Sequence, residues 1–264
     1  MSAAEPTRAP RAQILAVTSG KGGVGKTFFS ANLAAALARR GERVLVLDAD
    51  LGLANLDVVL NLHPKTTLHD VFTGKATLEE AILAAPGGFS VLLAGSGLVE
   101  YSRLTPQVRE QLIEIIERLA PRFDRILLDT GAGISDVVLH AISLADDVLV
   151  IATPEPTSMT DAYATIKLLA MQQGRRAIRV VVNQVSVVGE GRTIRNQLQL
   201  VVDRFVCPHL GDGGGASVSL ELQGEIPTDP AVREAVQRRN LLLETMPGAP
   251  AALAIVAIAG RIAA

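Results

Sequence analysis

Ile14-Leu15-Ala16-Val17-Thr18-Ser19-Gly20-Lys21-Gly22-Gly23-Val24-Gly25-Lys26-Thr27-Phe28 is the stretch from which the fold can be read. Its first four residues form an apolar run of the kind that makes a buried strand. Gly20 to Thr27 match G-x-x-x-x-G-K-[ST], placed as that pattern requires, after a strand and ahead of a helix. The helix is expected from Phe28 to Arg40, where apolar residues recur at helical spacing until Gly41 stops them. Each residue type has a chemical reason. Gly20, Gly22, Gly23 and Gly25 let the backbone wrap closely, so that N–H groups along the loop, through Val24, converge on phosphate oxygens. The helix that Phe28 opens aims its positive end at the same anion. Lys26 brings a mobile cation to the β- and γ-phosphates, and Thr27 offers a hydroxyl to Mg²⁺.

Further along, the same rhythm repeats. Apolar runs lie at Val44 to Leu47, Val91 to Leu93, Ile126 to Leu128, Val148 to Ile151 and Ile178 to Val182. Helical spacing falls between them, at Pro106 to Leu119, Ile134 to Ser143, Ser158 to Met171 and Thr193 to Phe205. Strands that are apolar throughout, rather than alternating, are covered on both faces. The expected fold is therefore α/β, a single domain with a mostly parallel, twisted sheet of six or seven strands flanked by helices on both faces. Residues 1–12 read as a loose tail and 13–264 as the domain. Gly211 to Gly215 reads as a flexible loop. Thr157 or Ser158 is the expected cap of the helix that follows them.

Composition narrows the function. With 264 residues and 48% hydrophobic content the chain can bury a core without disulfides, and its single cysteine, Cys207, cannot form one internally. This fits a reducing, cytoplasmic compartment. A net charge of −2 gives no reason to expect nucleic-acid binding. The pairs Arg175-Arg176 and Arg238-Arg239 read as solvated faces. No apolar run reaches the ~20 residues of a spanning helix.

Three acids sit where chemistry is expected. Asp48 and Asp50 end the second strand, and Asp129 ends the Ile126 run just before Thr130-Gly131-Ala132-Gly133. Open α/β sheets bind ligands beyond these strand ends. Either Asp48 or Asp50 could hold a Mg²⁺-bound water or orient an attacking one. Asp129 occupies the Walker B position, where a carboxylate binds Mg²⁺ through water. Asn183, at the end of the Ile178 strand, can pair with both the donor and the acceptor edge of adenine. No Asn-Lys-x-Asp guanine reader accompanies it, which favours ATP over GTP.

Lys21-Gly22-Gly23-Val24-Gly25-Lys26-Thr27 resembles the deviant phosphate loop of the MinD/ParA family of P-loop ATPases, and the resemblance spans residues 13–264. It implies a Mg-ATP-dependent homodimer in which Lys21 reaches the partner's nucleotide, together with slow ATP hydrolysis. It assigns Asp48 to the Mg²⁺ water shell, Asp50 to the attacking water, and Asn55 and Asp57 to a mobile switch segment. It assigns Asn183 and Pro227 to the adenine, and Glu155 to the dimer face. Three stretches, Asp48–Asp57, Leu128–Ser135 and Thr153–Ala162, are similar to the FlhG/FleN branch, which regulates flagellar number and placement. That branch implies an FlhF-type GTPase, a flagellar transcription activator and basal-body proteins as partners. Its Asp-Gln-Ala-x-x-Leu-Arg segment is not found in residues 1–12. Residues 251–264 carry one cation, Arg261, and read as a last core helix, so membrane contact is expected to be weak or peripheral. The alternatives are a MinD-like division-site ATPase or a ParA-like DNA-partitioning one.

Overall fold

The computed structural model describes residues 11–51, 55–95, 104–211 and 217–264. Most of the residues expected to form the tail, part of the switch segment and most of the Gly-rich loop lie outside these ranges; Ala12, expected in the tail, is instead buried, and its N–H donates to the Ala120 carbonyl. The strands are β1 (Gln13–Ser19), β2 (Val44–Ala49), β3 (Ile82–Ala84), β4 (Ser90–Leu92), β5 (Arg125–Ala132), β6 (Asp147–Ala152), β7 (Ala177–Val185) and β8 (Ser219–Pro227). The early helices are α1 (Lys26–Ala38), α2 (Leu56–Leu60), α3 (Leu68–Phe72), α4 (Leu78–Ala81) and α5 (Pro106–Leu119). The later ones are α6 (Asp136–Ser143), α7 (Pro156–Gln172), α8 (Glu190–Phe205), α9 (Pro230–Gln237), α10 (Leu242–Thr245) and α11 (Pro250–Ile262).

All eight strands form one sheet, in the order β3-β4-β2-β5-β1-β6-β7-β8. Only the β3–β4 pair is antiparallel. Alternate residues of each inner strand feed two separate cores. Ile14 and Ala16 of β1 face one, with α5 to α8. Leu15 and Val17 face the other, with α1 and α11. Both faces are thus apolar, which is why these strands carry no alternation. Helix α1 is buried nearly all round between the sheet and α11, so it carries no polar stripe facing solvent.

The topology positions the site. After β1 the chain passes over β5's place to reach β2, and after β5 it returns across β1 to β6. The crevice at that reversal is framed by the C-terminal ends of β1, β2 and β5, where the phosphate loop and the three acids lie.

Four expectations need correction. The sheet has eight strands, because the short β3 and the polar-looking β8 join its two edges. Neither Thr157 nor Ser158 caps α7: Glu155 holds the cap position, Pro156 begins the helix, and Ser158 Oγ instead accepts the Thr153 N–H at 3.0 Å. Pro fits a first helical turn, where its missing N–H has no partner to lose. Arg175 is not a solvated cation. Its guanidinium donates to the carbonyls of Ile142, Ala145 and Asp146 at 2.6–3.0 Å, which closes the C-terminal end of α6. Strand β2 ends at Ala49, so Asp50 already lies past it. The expected last core helix is present as α11, with Ile255, Ile258 and Ile262 buried and Arg261 donating to the Gln223 carbonyl.

Candidate functional site: a phosphate cleft joined to a base pocket

Gly25 caps α1 with φ +95°, a left-handed conformation that suits glycine. The first turn of α1 therefore opens directly onto the loop. At the loop's other end, any Cβ on Gly20 would collide with the backbone of Asp161 in α7. Glycine at both ends lets the loop lie flat against its supports.

A cavity of about 580 Å³ opens over this loop. Gly22, Gly23, Gly25, Lys26, Thr27 and Phe28 line it on one side, and Asp50, Asn55 and Gly131 on the other. Lys26 is buried, and its Nζ donates to Ser19 Oγ at 2.8 Å, which in turn donates to the Lys21 carbonyl at 2.7 Å. Burial lowers the Lys26 pKa, while Asp129 and Asp50 act to keep the proton on. The ammonium is thus held ready without a carboxylate locked onto it.

Asp48 and Asp129 are register partners on adjacent strands β2 and β5, and both are buried. Asp48 Oδ1 accepts the Asp50 N–H at 3.1 Å. Its Oδ2 is buried and has no partner among the described residues. Burial, and then the neighbouring Asp129, push the Asp48 carboxyl well above its ordinary range. Burial likewise raises Asp129 to about 6, against the hydroxyls of Thr27 and Ser30 and the charge of Lys26. Ser30 Oγ donates to Asp129 Oδ1 at 2.9 Å. Two buried acids side by side, one with an orphaned oxygen, form an arrangement that a hydrated divalent cation would relieve. These residues fit Mg²⁺, and the Thr27 hydroxyl lies beside Asp129. Asp50 lies past the end of β2, its carboxylate against Gly131, and its charge acts on Lys26, Asp48 and Asp129.

A second cavity, of about 300 Å³, shares Gly25, Phe28 and Val236 with the first. Asn183, Gln184 and Pro227 line it, and so do Val232, Arg233 and Val236 of α9. Pro227 ends β8 and is not a helix-start proline; that place belongs to Pro230, in a helix capped by Asp229. Both residues expected to meet the base thus line one pocket. Asn183 also makes an unexpected bond to the loop itself, donating from Nδ2 to the Val24 carbonyl at 2.8 Å.

Lys21 is absent from the lining of either cavity. Its Nζ donates to Glu155 and, at 3.0 Å, to Thr157 Oγ1. The two residues expected at a dimer face therefore meet within one chain. Asn55 holds the position before α2 without a capping side-chain bond and lines the first cavity, whereas Asp57 lies in the first turn of α2 with a buried Oδ1 that lacks a partner among the described residues. Sequence reasoning missed Ser19, Ser30 and the α9 wall. The Val232/Val236 pair at i, i+4 marks an apolar face of α9 but not the pocket that it meets.

Comparison with known proteins agrees with this geometry. A family model described as an AAA domain matches residues 12–179. The antiactivator FleN of Pseudomonas aeruginosa is 43% identical over 95% of this chain and 86% of its own length. The flagellum site-determining protein YlxH of Helicobacter pylori is 32% identical, over 94% of this chain and 81% of its own. The septum site-determining protein MinD of Pyrococcus horikoshii, solved as a complex with Mg-ADP, superposes with a TM-score of 0.74 at 27% identity, covering 95% of this chain and 96% of that one. A phosphate-loop motif, a buried acid pair, an adjoining pocket and these likenesses lead to one assignment: the chain belongs to the MinD/ParA family of Mg²⁺-dependent P-loop ATPases, on the branch of the FlhG and FleN proteins.

Proposed function

We propose that this ATPase is a switch that dimerises on Mg-ATP, controls flagellar number and placement through protein partners, and resets by slow hydrolysis. Lys21 is the observation that carries the reading. It stands in the phosphate loop yet points away from its own cleft, onto Glu155. That ion pair is exposed, with 36% and 58% of the two side chains accessible. Pairs of this kind contribute only about 0–1 kcal/mol. A second subunit's triphosphate would outbid Glu155 for the ammonium, and only while the triphosphate is intact. Such a contact binds the two states differently, as a switch requires.

When bound, Mg²⁺ neutralises charge on the phosphates; Thr27, Asp48 and Asp129 would hold it, the aspartates through its waters. Lys26 stabilises the charge that develops on the phosphoryl oxygens. Asp50, beside Gly131, accepts a hydrogen bond from the attacking water and aims it. The partners proposed are an FlhF-type GTPase, a flagellar transcription activator and basal-body proteins. No described helix is long and apolar enough to cross a membrane; a weak, peripheral membrane contact is part of the proposal.

Light scattering on a sizing column tests the switch. The wild type should run as a monomer with ADP and as a dimer with ATP. Lys21→Ala should keep ATP affinity within a few-fold and remain monomeric. A Lys21→Ala protein that dimerises normally on ATP would sink the proposal. Expression in Pseudomonas aeruginosa lacking FleN tests the flagellar role, by counting flagella per cell. ATP-dependent retention on DNA that weakens steeply with salt would favour the partitioning alternative instead.

A further inference from the structure

Asn183 does more than line the base pocket. It lies two residues before the end of β7, where the pairing with β8 becomes irregular, between Asn183 and Val185. Its Oδ1 accepts the N–H of Gln184 at 2.9 Å, and Gln184 adopts φ +61°, a conformation uncommon for that residue. The side-chain amide is therefore held in one orientation by its own backbone. In that orientation Nδ2 donates to the Val24 carbonyl at 2.8 Å, across 159 positions of sequence. The amide lies so close over Gly25 that a Cβ there would come within 2.6 Å of Nδ2.

The Val24 carbonyl and the Gly25 N–H belong to one planar trans peptide, so they point in opposite directions. Anchoring the carbonyl on Asn183 turns the Gly25 N–H away from Asn183. Gly25 lines both the phosphate cleft and the base pocket, so this peptide stands in the wall between them. We infer that Asn183 is a positioning residue that ties the phosphate loop to the base pocket, fixing the Val24–Gly25 peptide for phosphate binding whether or not a base is present. The inference rests on the reading of this cleft as the ATP site. One amide N–H and one oxygen lone pair of Asn183 remain for an adenine edge, so tether and base contact are compatible.

A ligand without a base separates the two roles. Titration calorimetry would compare Mg-ATP with Mg-tripolyphosphate on the wild type, Asn183→Ala and Asn183→Ser. Neither variant side chain reaches the Val24 carbonyl. A tether predicts that both variants lose about tenfold in affinity for tripolyphosphate, the scale of one positioning hydrogen bond. The loss for ATP should be at least as large. Hydrogen exchange in the peptide spanning residues 20–27 should quicken in both variants, with a melting temperature close to that of the wild type. Unchanged tripolyphosphate affinity alongside weakened ATP binding would overturn the tether and leave Asn183 as a base contact only. Failure of the wild type to bind Mg-ATP would overturn the nucleotide reading itself, and the inference with it.

Discussion

Lys26→Ala is expected to weaken Mg-ATP and Mg-ADP binding by roughly 10²- to 10³-fold, the scale of removing one partner from a buried charge pair. The size follows from what surrounds the side chain. Lys26 is buried, and Asp129 and Asp50 are the charges that act on its ammonium. Asp48 adds a third acid at the same end of the sheet. Without the ammonium a polyphosphate would enter a cleft whose nearest charges are all negative, with only backbone N–H groups and a helix end to oppose them. A dipole at a helix end contributes about 0.3–1 kcal/mol in ordinary settings, too little to replace a buried cation. Lys26→Arg should not restore binding, because a planar guanidinium does not fit the single bond to Ser19 Oγ. Affinity by calorimetry decides the matter; a Lys26→Ala protein within threefold of the wild type would refute the assignment of Lys26 to the phosphates.

The parts of this site that could be read from sequence are those encoded locally. Eight contiguous residues specify the loop, and an apolar run ending in an acid specifies Asp48 and Asp129, because strand and site are set by neighbours in the chain. Edge strands are harder. Strand β8 alternates Ser219-Leu220-Glu221 with one side exposed, so it lacks the continuous apolar signature of the inner strands. Strand β3 is three residues long and exists only through its pairing with β4. Contacts that join distant segments were not legible at all. Arg175 closes α6 from beyond α7, the amide of Asn183 reaches Val24, and α9 supplies a wall of the base pocket. Each depends on two stretches meeting in the fold, and neither stretch carries a mark of the other. Lys21 is an intermediate case: its position in the motif was plain, but its bond to Glu155 within the same chain was not.

Asp48→Asn is expected to change stability in opposite directions in the free and the loaded protein. In the free protein two buried acids face each other across β2 and β5, and Asp48 Oδ2 has no partner among the described residues. A neutral amide of the same shape cannot take on the charge that burial and Asp129 both oppose, and it offers a donor to Asp129. The gain, about 1–2 kcal/mol, corresponds to a rise of roughly 2–8 °C in melting temperature at neutral pH for a domain of this size. The pH dependence has a definite sign. Asp129 is raised to about 6 from 3.8, so the folded state holds its proton more tightly than the unfolded chain does. On account of Asp129 the free wild type should therefore lose stability as pH rises from about 4 to about 6, and Asp48, also raised, adds to that loss. In Asp48→Asn this slope should shrink, because Asp48, whose own carboxyl is raised well above its ordinary range by burial and by Asp129, no longer titrates. With Mg-ATP the order reverses. A ligand that binds only the folded state stabilises it in proportion to the logarithm of its concentration over Kd. The wild type should gain far more from Mg-ATP than from ATP with chelator, whereas Asp48→Asn should gain nearly the same from both. Melting curves at pH 4.5 and 7.5, with chelator, with ATP and with Mg-ATP, give all of these comparisons. A variant that is no more stable than the wild type when free, and that keeps the full Mg²⁺-dependent shift, would remove Asp48 from the metal site. The cost of an orphaned buried carboxylate would then have no functional return in this fold.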